Sequence, residues 1–499
     1  MIKEIHQDII SIWKDLLRFI KSNKSSIFLI LFIYLIVCIN IGLAEYPYID
    51  DIGRQIQGYS GFSEHYSRYV SEVAVRFLNL GGHLSDVGLA SQILSAFIMT
   101  LSSLLLIYVL IPTKKISKVT SFASTLIGIN PLFIECLSFR FDSPFMTLSV
   151  LFSIVPFIFW NKNRILFIIL SVITTFLMCN SYQASSGIFL VLTATMLLLD
   201  VVNKEKVANL LSRFISAALS YICGVLLYFC QIKLFPPVFS SAADTAPINK
   251  LAHFVILNSK IYLRNIYNQS NKVWVVLALI AVVLFALNIV LSSKINKLLT
   301  IFLVTAYLGV SSVLSYGTYL IFMTPYSLLR PRYEYGFGFF ISTILIALSL
   351  RYKGKIFRLS NQAVVFLLSF YLAIFSLLYP SALKQQNDVF KSQSIILAND
   401  LNPYLSQQTS NVVRLNRLFT NSKVYTNSTI NYPILNSLIM PNSNISWDMT
   451  MRFNEITNLN VDLQAFDETK VNVNMFEKLQ DSKLYSIYSN GNELYVVMK

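Results

Sequence analysis

Apolar stretches about as long as a membrane-crossing helix recur along most of this chain. A helix of roughly 20 apolar residues crosses the hydrocarbon core of a bilayer. The sequence of 499 residues is 55% hydrophobic and only 13% charged, whereas soluble domains carry about 25% charged residues. No soluble fold could bury that much apolar surface. The pattern predicts an α-helical polytopic membrane protein with about eleven spans, at residues 26–45, 84–111, 119–135, 143–160, 164–180, 184–202, 214–235, 273–292, 298–320, 337–350 and 359–379.

The basic residues predict how the spans are oriented. They cluster in short loops on one side of the spans, and positively charged loops stay in the cytoplasm. The clusters are Lys114, Lys115 and Lys118; Lys162 and Arg164; Lys204, Lys206 and Arg213; Lys294 and Lys297; and Arg351, Lys353, Lys355 and Arg358. The net charge of +15 is thereby assigned to membrane topology and not to nucleic-acid binding. Residues 1–25 lie on the same side and alternate basic and apolar residues at helical spacing, which predicts an amphipathic interfacial helix.

The C-terminal part of the chain differs sharply from the rest. Residues 381–499 are rich in Asn, Ser and Asp and contain short alternating stretches. An odd number of spans that begins inside must finish outside, so we expect this segment to be a soluble periplasmic domain. Its pattern predicts a small α/β or mostly β fold. The predicted organisation is an interfacial helix at 1–25, a transmembrane domain at 26–380 and a periplasmic domain at 381–499.

The first predicted outer loop, residues 46–77, is rich in groups that can do chemistry. It begins with two adjacent carboxylates, Asp50 and Asp51, and continues with Arg54, Tyr59 and Arg68. Successive residues of a helix point about 100° apart, so the two carboxylates are not expected to share one role. One could act on a substrate while the other caps a helix, since Asp accepts hydrogen bonds from free backbone N–H groups.

Three later outer loops also carry polar groups. These groups are Glu135, Arg140 and Asp142 in residues 130–144, Tyr182 and Gln183 in residues 179–187, and Arg330, Arg332 and Tyr333 in residues 315–336. Ionisable groups at membrane depth are costly and usually face a cavity or a partner. Each set also has a structural alternative. Arg140 could form an ion pair with Asp142 or Glu135, the amide and hydroxyl groups could form hydrogen bonds between helices, and ordinary lipid headgroups could pair with the late arginines.

Together these loops combine acids and arginines on the outer face, which suits transfer of a sugar from a lipid phosphate. A carboxylate can take the proton of an acceptor hydroxyl as that hydroxyl attacks the anomeric carbon. Arginines can bind the donor phosphate and stabilise the charge that grows on it. No Gly-rich nucleotide loop is evident, and the five cysteines show no metal spacing, so no metal ligands are predicted.

The loop motifs resemble the O-antigen glucosyltransferase family, the type II glucosyl transferases of seroconverting phages and bacteria. The resemblance covers about the first 380 residues and depends on YIDDIGR at 48–54, GYSGF at 58–62, Asn-Pro at 130–131 with Glu135 and Asp142, and SYQ at 181–183. The sequence departs from the family pattern at 67–69, where SRY stands in place of an expected Gly-Arg-Pro turn.

The resemblance implies a C-type (GT-C) glycosyltransferase in the bacterial inner membrane, involved in serotype conversion. It implies undecaprenyl-phosphate-linked glucose or another hexose as donor and the O-antigen of lipopolysaccharide as acceptor. Asp50 or Asp51 would be the general base, with Glu135 and Asp142 as second candidates. The substrate-binding residues would be Arg54, Tyr59, Arg68, Arg140, Tyr182, Gln183, Arg330, Arg332 and Tyr333. No cofactor is assigned, a divalent cation stays open, and a flippase and a synthase of the lipid-linked sugar are expected partners.

Other classes are compatible with a multi-span chain. A transporter or flippase of lipid-linked saccharides predicts charged residues deep within spans and repeated halves with broken helices, and the sequence shows neither clearly. A polysaccharide ligase or polymerase usually has a large late outer loop, whereas here the large outer segment is the C-terminal tail. Another polyprenyl-phosphate-sugar-dependent glycosyltransferase stays open as an alternative.

Overall fold

The computed structural model describes residues 2–110, 115–239, 245–350, 355–405 and 411–499. Three residues of the predicted basic loops, Lys114, Arg351 and Lys353, lie outside these ranges. The described helices are α1 (Ile2–Ser22), α2 (Lys24–Leu43), α3 (Asp50–Gln57), α4 (Phe62–Tyr66), α5 (Tyr69–Leu78), α6 (Ala90–Leu110), α7 (Lys118–Ile129), α8 (Ile134–Ser138), α9 (Ser143–Ile154), α10 (Arg164–Ser181), α11 (Ser186–Val202), α12 (Val207–Leu234), α13 (Leu251–Gln269), α14 (Lys272–Ser292), α15 (Lys297–Leu314), α16 (Tyr335–Leu350), α17 (Lys355–Leu401), α18 (Lys423–Asn431), α19 (Leu435–Leu438) and α20 (Trp447–Thr457).

Long apolar helices form most of the molecule. A bilayer offers no water to unpaired backbone groups, so a spanning segment must satisfy its own hydrogen bonds as a helix. Eight helical segments of the described chain are long and apolar enough to cross a membrane: Lys24–Leu43, Ala90–Leu110, Arg164–Ser181, Gln183–Val202, Val207–Leu234, Lys272–Ser292, Lys297–Leu314 and Phe357–Tyr404. The sequence predicted these eight, which makes the chain a membrane protein by length and composition.

The other three predicted spans are shorter or broken. The apolar segments Ser143–Phe159 and Tyr335–Leu350 are helical but shorter than a full span. The predicted span at 119–135 is interrupted at Asn130, whose extended backbone ends α7 before the short helix α8 begins. The total of eleven spans therefore stays a prediction.

The helical bundle has two chemically different ends. At one end, hydrogen bonds join Lys118 to Ser25 (2.8 Å) and Asn163 to Asp8 (2.8 Å), and the backbone of Lys294 to that of Val202. This end contains the described residues of the predicted basic loops, and we call it the basic end. The opposite end, where α3 lies, is called the α3 end.

The segment 315–336 is fixed against the bundle by two close backbone approaches. A Cβ atom on Gly187 or on Gly336 would lie only 1.9 Å from the carbonyl oxygen of Ser315. No side chain fits in that space, so glycine at both positions lets α11 and α16 pack directly on Ser315. This packing places Arg332 and Tyr333 at the α3 end, beside the loops that follow α2 and α7.

The C-terminal part contains the sheet domain that the sequence predicted. Its strands are β1 (Asn411–Leu415), β2 (Val461–Ala465), β3 (Glu477–Asp481), β4 (Tyr485–Ser489) and β5 (Leu494–Met498), in the order β2-β1-β5-β4-β3. The strand β1 is parallel to both β2 and β5, with Val413 opposite Leu463 and Leu494, while β3, β4 and β5 are antiparallel. The mixed sheet makes this domain α/β, and its core includes the last turns of α17, through which the chain passes without a break at residue 380.

Candidate active site

The chain enters the first loop of the α3 end in an unusual backbone conformation. Glu45 and Ile49 have positive φ angles, 48° and 45°. A β-branched residue such as Ile rarely adopts positive φ, because its side chain clashes with the backbone there. The two bends turn the chain from α2 into α3 and present Asp50 and Asp51 at the first helical turn.

Asp51 joins the first loop to the second. Its Oδ2 atom accepts hydrogen bonds from the backbone N–H groups of Tyr48 (3.1 Å) and Arg140 (2.9 Å). The side chain is buried, and this burial, together with the nearby negative charge of Asp142, raises the pKa of Asp51 to about 7. The residue therefore contacts backbone on both sides and leaves little of its carboxylate for a substrate.

Arg54 links the two other aspartates of these loops. It forms an ion pair with Asp142 and lies 3.9 Å from Asp50, while its guanidinium also covers the ring of Phe62 at 4.5 Å. Burial raises the pKa of Asp142 above its ordinary value, and the positive charge of Arg54 opposes that rise. The side chain of Asp50 is 27% exposed, whereas those of Arg54 and Asp142 are buried.

Glu135 is paired with the two late arginines, and not with Arg140 as the ion-pair alternative predicted. Its carboxylate lies 2.7 Å from Arg330 Nε and 3.4 Å from Arg332 Nη1, and it accepts the backbone N–H of Arg332 at 3.0 Å. Arg330 also donates to Tyr48 and to the carbonyl of Leu438 in the C-terminal domain. Glu135 and Arg330 are thus occupied by contacts within the protein.

A cavity of about 240 Å³ opens among these loops at the α3 end. Seven of the predicted site residues line it: Asp50, Arg68, Asp142, Tyr182, Gln183, Arg332 and Tyr333. The cavity therefore brings together four loops that are far apart in the sequence, with two carboxylates and two arginines facing the same space.

Arg68 is held in the cavity by neutral groups. Its guanidinium lies over the rings of Tyr66 (5.0 Å) and Tyr182 (4.7 Å), and its Nε donates to Gln183 at 3.2 Å. No carboxylate of the described residues lies within 4.0 Å of it. Arg332 Nε is buried and has no hydrogen-bond partner within the described ranges. Both arginines thus have capacity left for an anion.

The remaining predicted site residues are described at the α3 end but do not line the cavity. Asp51, Arg54, Glu135 and Arg330 make the contacts given above. Tyr59 donates its hydroxyl to Glu64 and is 43% exposed, and Arg140 pairs with Asp86 at 2.6 Å. Direct roles for these six residues stay predictions.

The walls of the cavity contain residues that the sequence did not single out. Aromatic rings form much of it: Tyr66, Phe139, Tyr228, Phe229, Tyr319, Phe322 and Tyr326. The density of Tyr in residues 315–336 was the one available signal. On α12, Val225, Phe229 and Ile232 face the cavity, while Leu226 and Leu227 on the same helix are more than half exposed. One wall is therefore an apolar helix with its outer face uncovered.

Within residues 2–110, 115–239, 245–350, 355–405 and 411–499, no group of three or more His, Cys, Asp or Glu side chains is arranged to hold a metal ion. The described polar groups of the cavity are instead hydroxyls, one amide, the thiol of Cys179, two carboxylates and two guanidinium groups.

The fold and the cavity define a polytopic membrane protein with a polar, arginine-containing site at one end of its helical bundle. Residues 39–343 match the family model of glucosyl transferase GtrII. The chain belongs to this family, which confirms the resemblance seen in the loop motifs.

A curated relative comes from a phage. The chain is 27% identical over 209 residues to an uncharacterized 55.3 kDa protein in the gtrB 5' region of Salmonella phage P22. The match spans 42% of this chain and 42% of the phage protein.

Proposed function

We propose that the protein transfers a glucosyl, or another hexosyl, residue from an undecaprenyl-phosphate-linked donor to O-antigen on the periplasmic face of the bacterial inner membrane. The observation that carries this proposal is the cavity in which Asp50 faces Arg68 and Arg332. Family membership supplies the class of reaction. The enzyme would thereby alter the serotype of its host, and a flippase and a lipid-linked-sugar synthase would supply the donor.

Asp50 is the general base in this proposal. It lines the cavity and keeps part of its carboxylate accessible, and among the described residues the cation paired with it is Arg54, 3.9 Å away. Asp142 also lines the cavity, but it is buried and in direct contact with Arg54. Asp142 is therefore better suited to orient Arg54, and Asp50 to receive a proton.

Arg68 and Arg332 bind the donor phosphate. The acceptor hydroxyl oxygen attacks the anomeric carbon, the bond from that carbon to the phosphate oxygen breaks, and the electron pair stays on the phosphate. The hydroxyl proton passes to Asp50. Guanidinium groups aimed at the phosphate stabilise the charge that it gains.

The lipid chain of the donor lies along the apolar wall of the cavity. Val225, Phe229 and Ile232 provide a surface on which an isoprenoid chain can pass from the cavity toward the bilayer. The phosphate then stays at the arginines while the chain remains in apolar surroundings. This arrangement accounts for a cavity that is polar on the loop side and apolar on the side of α12.

The periplasmic orientation is supported by the charge distribution. The described residues of the basic loops, including Lys118, Lys162 and Arg164, lie at the end of the bundle opposite the cavity. Basic loops stay in the cytoplasm, which supports a periplasmic position for the cavity and for residues 381–499.

The test uses purified protein in vesicles with labelled undecaprenyl-phosphate glucose and lipid-linked O-antigen. Asp50→Asn should lower transfer by at least about 100-fold, as expected for loss of a general base, while Asp51→Asn retains most of it. Asp86→Asn is the matched control, because Asp86 is an acidic residue of the same end that pairs with Arg140. Full transfer by Asp50→Asn would refute the base assignment.

The same vesicles distinguish the transport alternative. If labelled donor crosses the membrane while no glucose reaches the acceptor, the enzyme assignment fails and a flippase is indicated. Both substrates should be offered with and without a chelator, which tests metal dependence directly.

A further inference from the structure

The segment that carries Asp50 is contacted from outside the transmembrane bundle. Residues 44–53 contain the two positive-φ positions, Glu45 and Ile49. A backbone in such conformations persists only where surrounding contacts determine it. Three separate contacts from residues 381–499 meet this segment, one near its start, one at its middle and one near its end.

The first contact is a relay from a buried arginine. Arg452 of α20 donates to the Oδ1 atom of Asn387, and the Nδ2 atom of Asn387 donates to the carbonyls of Ala44 (3.2 Å) and Glu45 (2.8 Å). The guanidinium lies between the rings of Tyr46 (4.8 Å) and Phe390 (4.1 Å). By donating to Oδ1, Arg452 orients the amide so that its N–H groups face the carbonyls where the first bend begins.

The charge of Arg452 is costly where it lies. Its side chain is only 3% exposed. No carboxylate of the described residues lies within 4.0 Å of its guanidinium. An unpaired buried charge costs stability, and an apolar side chain could fill the space between two rings. The feature that an apolar side chain could not supply is the hydrogen bond to Asn387.

The second contact meets Tyr48, two residues before Asp50. The hydroxyl of Tyr48 donates to the carbonyl of Leu438, and Arg330 Nη2 donates to the same carbonyl at 3.1 Å. Arg330 is in turn paired with Glu135. The C-terminal domain thus contacts both the first loop and the late arginine loop through one backbone carbonyl.

The third contact is made by Trp447, which packs on α3. A Cβ atom on Gly53 would lie 3.6 Å from the indole, so the ring rests against the backbone of the helix. Asp50 and Gly53 are three residues apart and therefore neighbours on the surface of α3. The indole supports the face of the helix next to Asp50.

We propose that Asn387, Leu438, Arg452 and Trp447 form a clamp by which the C-terminal domain sets the position of Asp50 in the cavity. Arg452 is a positioning residue of this clamp, since it acts through Asn387 and does not line the cavity. The consequence for catalysis rests on the proposed function, in which Asp50 is the base. The C-terminal domain would then be part of the active site without contributing a group to the reaction.

Amide hydrogen exchange measures how firmly the clamp holds residues 44–53, and it needs no enzymatic assay. In Arg452→Met, amides of residues 44–53 should exchange roughly 10-fold faster, as expected when a local opening becomes easier. Amides of β1 and β5 should be unchanged. Arg414→Met is the matched control, because Arg414 is an arginine of the same domain that pairs with Glu493 at 2.6 Å, away from the clamp.

A second variant tests the clamp from the membrane domain. Tyr48→Phe removes the hydroxyl that reaches Leu438 but keeps the ring against Phe139, whose centroid is 4.9 Å away. It cannot disturb the core of the C-terminal domain, and it should also accelerate exchange in residues 44–53. Unchanged exchange there in both variants would overturn the proposal. The proposal would also be overturned by a second result: in Arg452→Met, exchange rises in the sheet strands as much as in residues 44–53, while Tyr48→Phe exchanges like wild type.

Kinetics then separate positioning from folding. A displacement of about 1 Å at a catalytic group can lower a rate by about 100-fold. Arg452→Met should therefore lower kcat by roughly 10- to 100-fold. The KM for the donor should be nearly unchanged. Equal kcat in Arg452→Met and wild type would refute a positioning role. If the wild-type protein transfers no sugar, the proposed function fails, while the exchange data still decide whether the clamp exists.

Discussion

The buried carboxylate of Asp51 makes a quantitative prediction about pH. Its folded-state pKa of about 7 lies above the ordinary 3.8, so the folded protein binds this proton more tightly than the unfolded chain. Ionised Asp51 therefore costs stability: the cost is absent below the unfolded pKa, grows as pH rises, and is complete above about pH 7. A shift of about 3 pKa units corresponds to about 4 kcal/mol.

Asp51→Asn removes this cost but retains the main contacts. The amide oxygen can accept from the backbone N–H groups of Tyr48 and Arg140, as Oδ2 does in the native side chain. Only the weak contact with the N–H of Phe141, at 3.4 Å, is lost. The free energy of unfolding of the variant should therefore rise relative to that of wild type by about 3 kcal/mol between about pH 5 and about pH 8.

Unfolding of the detergent-solubilised protein by titration with denaturant, followed by ellipticity at several pH values, measures this difference. Asp462→Asn, at an exposed position of β2, is the control and should show the same pH dependence as wild type. Parallel pH profiles for wild type and Asp51→Asn would refute the reasoning. The pH dependence would then have to come from other groups.

Three further perturbations have definite expected outcomes. Arg68→Met should lower transfer by about 100-fold, because one charge-stabilising donor is lost, with unchanged folding as judged by ellipticity. Arg54→Met should lower the free energy of unfolding by about 3 kcal/mol, since it leaves Asp142 buried without its partner. Gly187→Ala should reduce the folded yield because its Cβ would collide with Ser315, whereas Gly309→Ala, with open space around it, should fold normally; equal yields would contradict this account.

The break at Asn130 shows where span prediction from apolar composition fails. Residues 119–135 are apolar enough to be taken as one span, but the side chain of Asn130 accepts hydrogen bonds from the backbone N–H groups of Leu132 and Phe133. These bonds replace those of a continuing helix, and Pro131 lacks the N–H group that a helix interior requires. The acidic residue Glu135 thereby lies in the short helix α8 beyond the break, where Arg330 and Arg332 can reach it.

Seven of the twenty residues that line the cavity could be found in the sequence, and for one reason. Charged side chains between apolar spans are few, so those that occur near the membrane surface are candidates for a site. The aromatic walls had no such signal, because Tyr, Phe and Ile are also the residues expected at a lipid interface. Only the tertiary structure brings α12 and residues 315–336 together around one cavity.

The sequence by itself determined the helices of the membrane domain, the basic end and the polar loops. This is so because a segment in lipid must satisfy its backbone hydrogen bonds locally, and an apolar run of sufficient length has no alternative to a helix. Only the tertiary structure distinguished the surroundings of Asp50 from those of Asp51. The two carboxylates are adjacent in sequence, but the backbone N–H of Arg140 donates to Asp51, whereas Asp50 lines the cavity. Residues as distant as Leu438 and Arg452 contact the segment that carries Asp50.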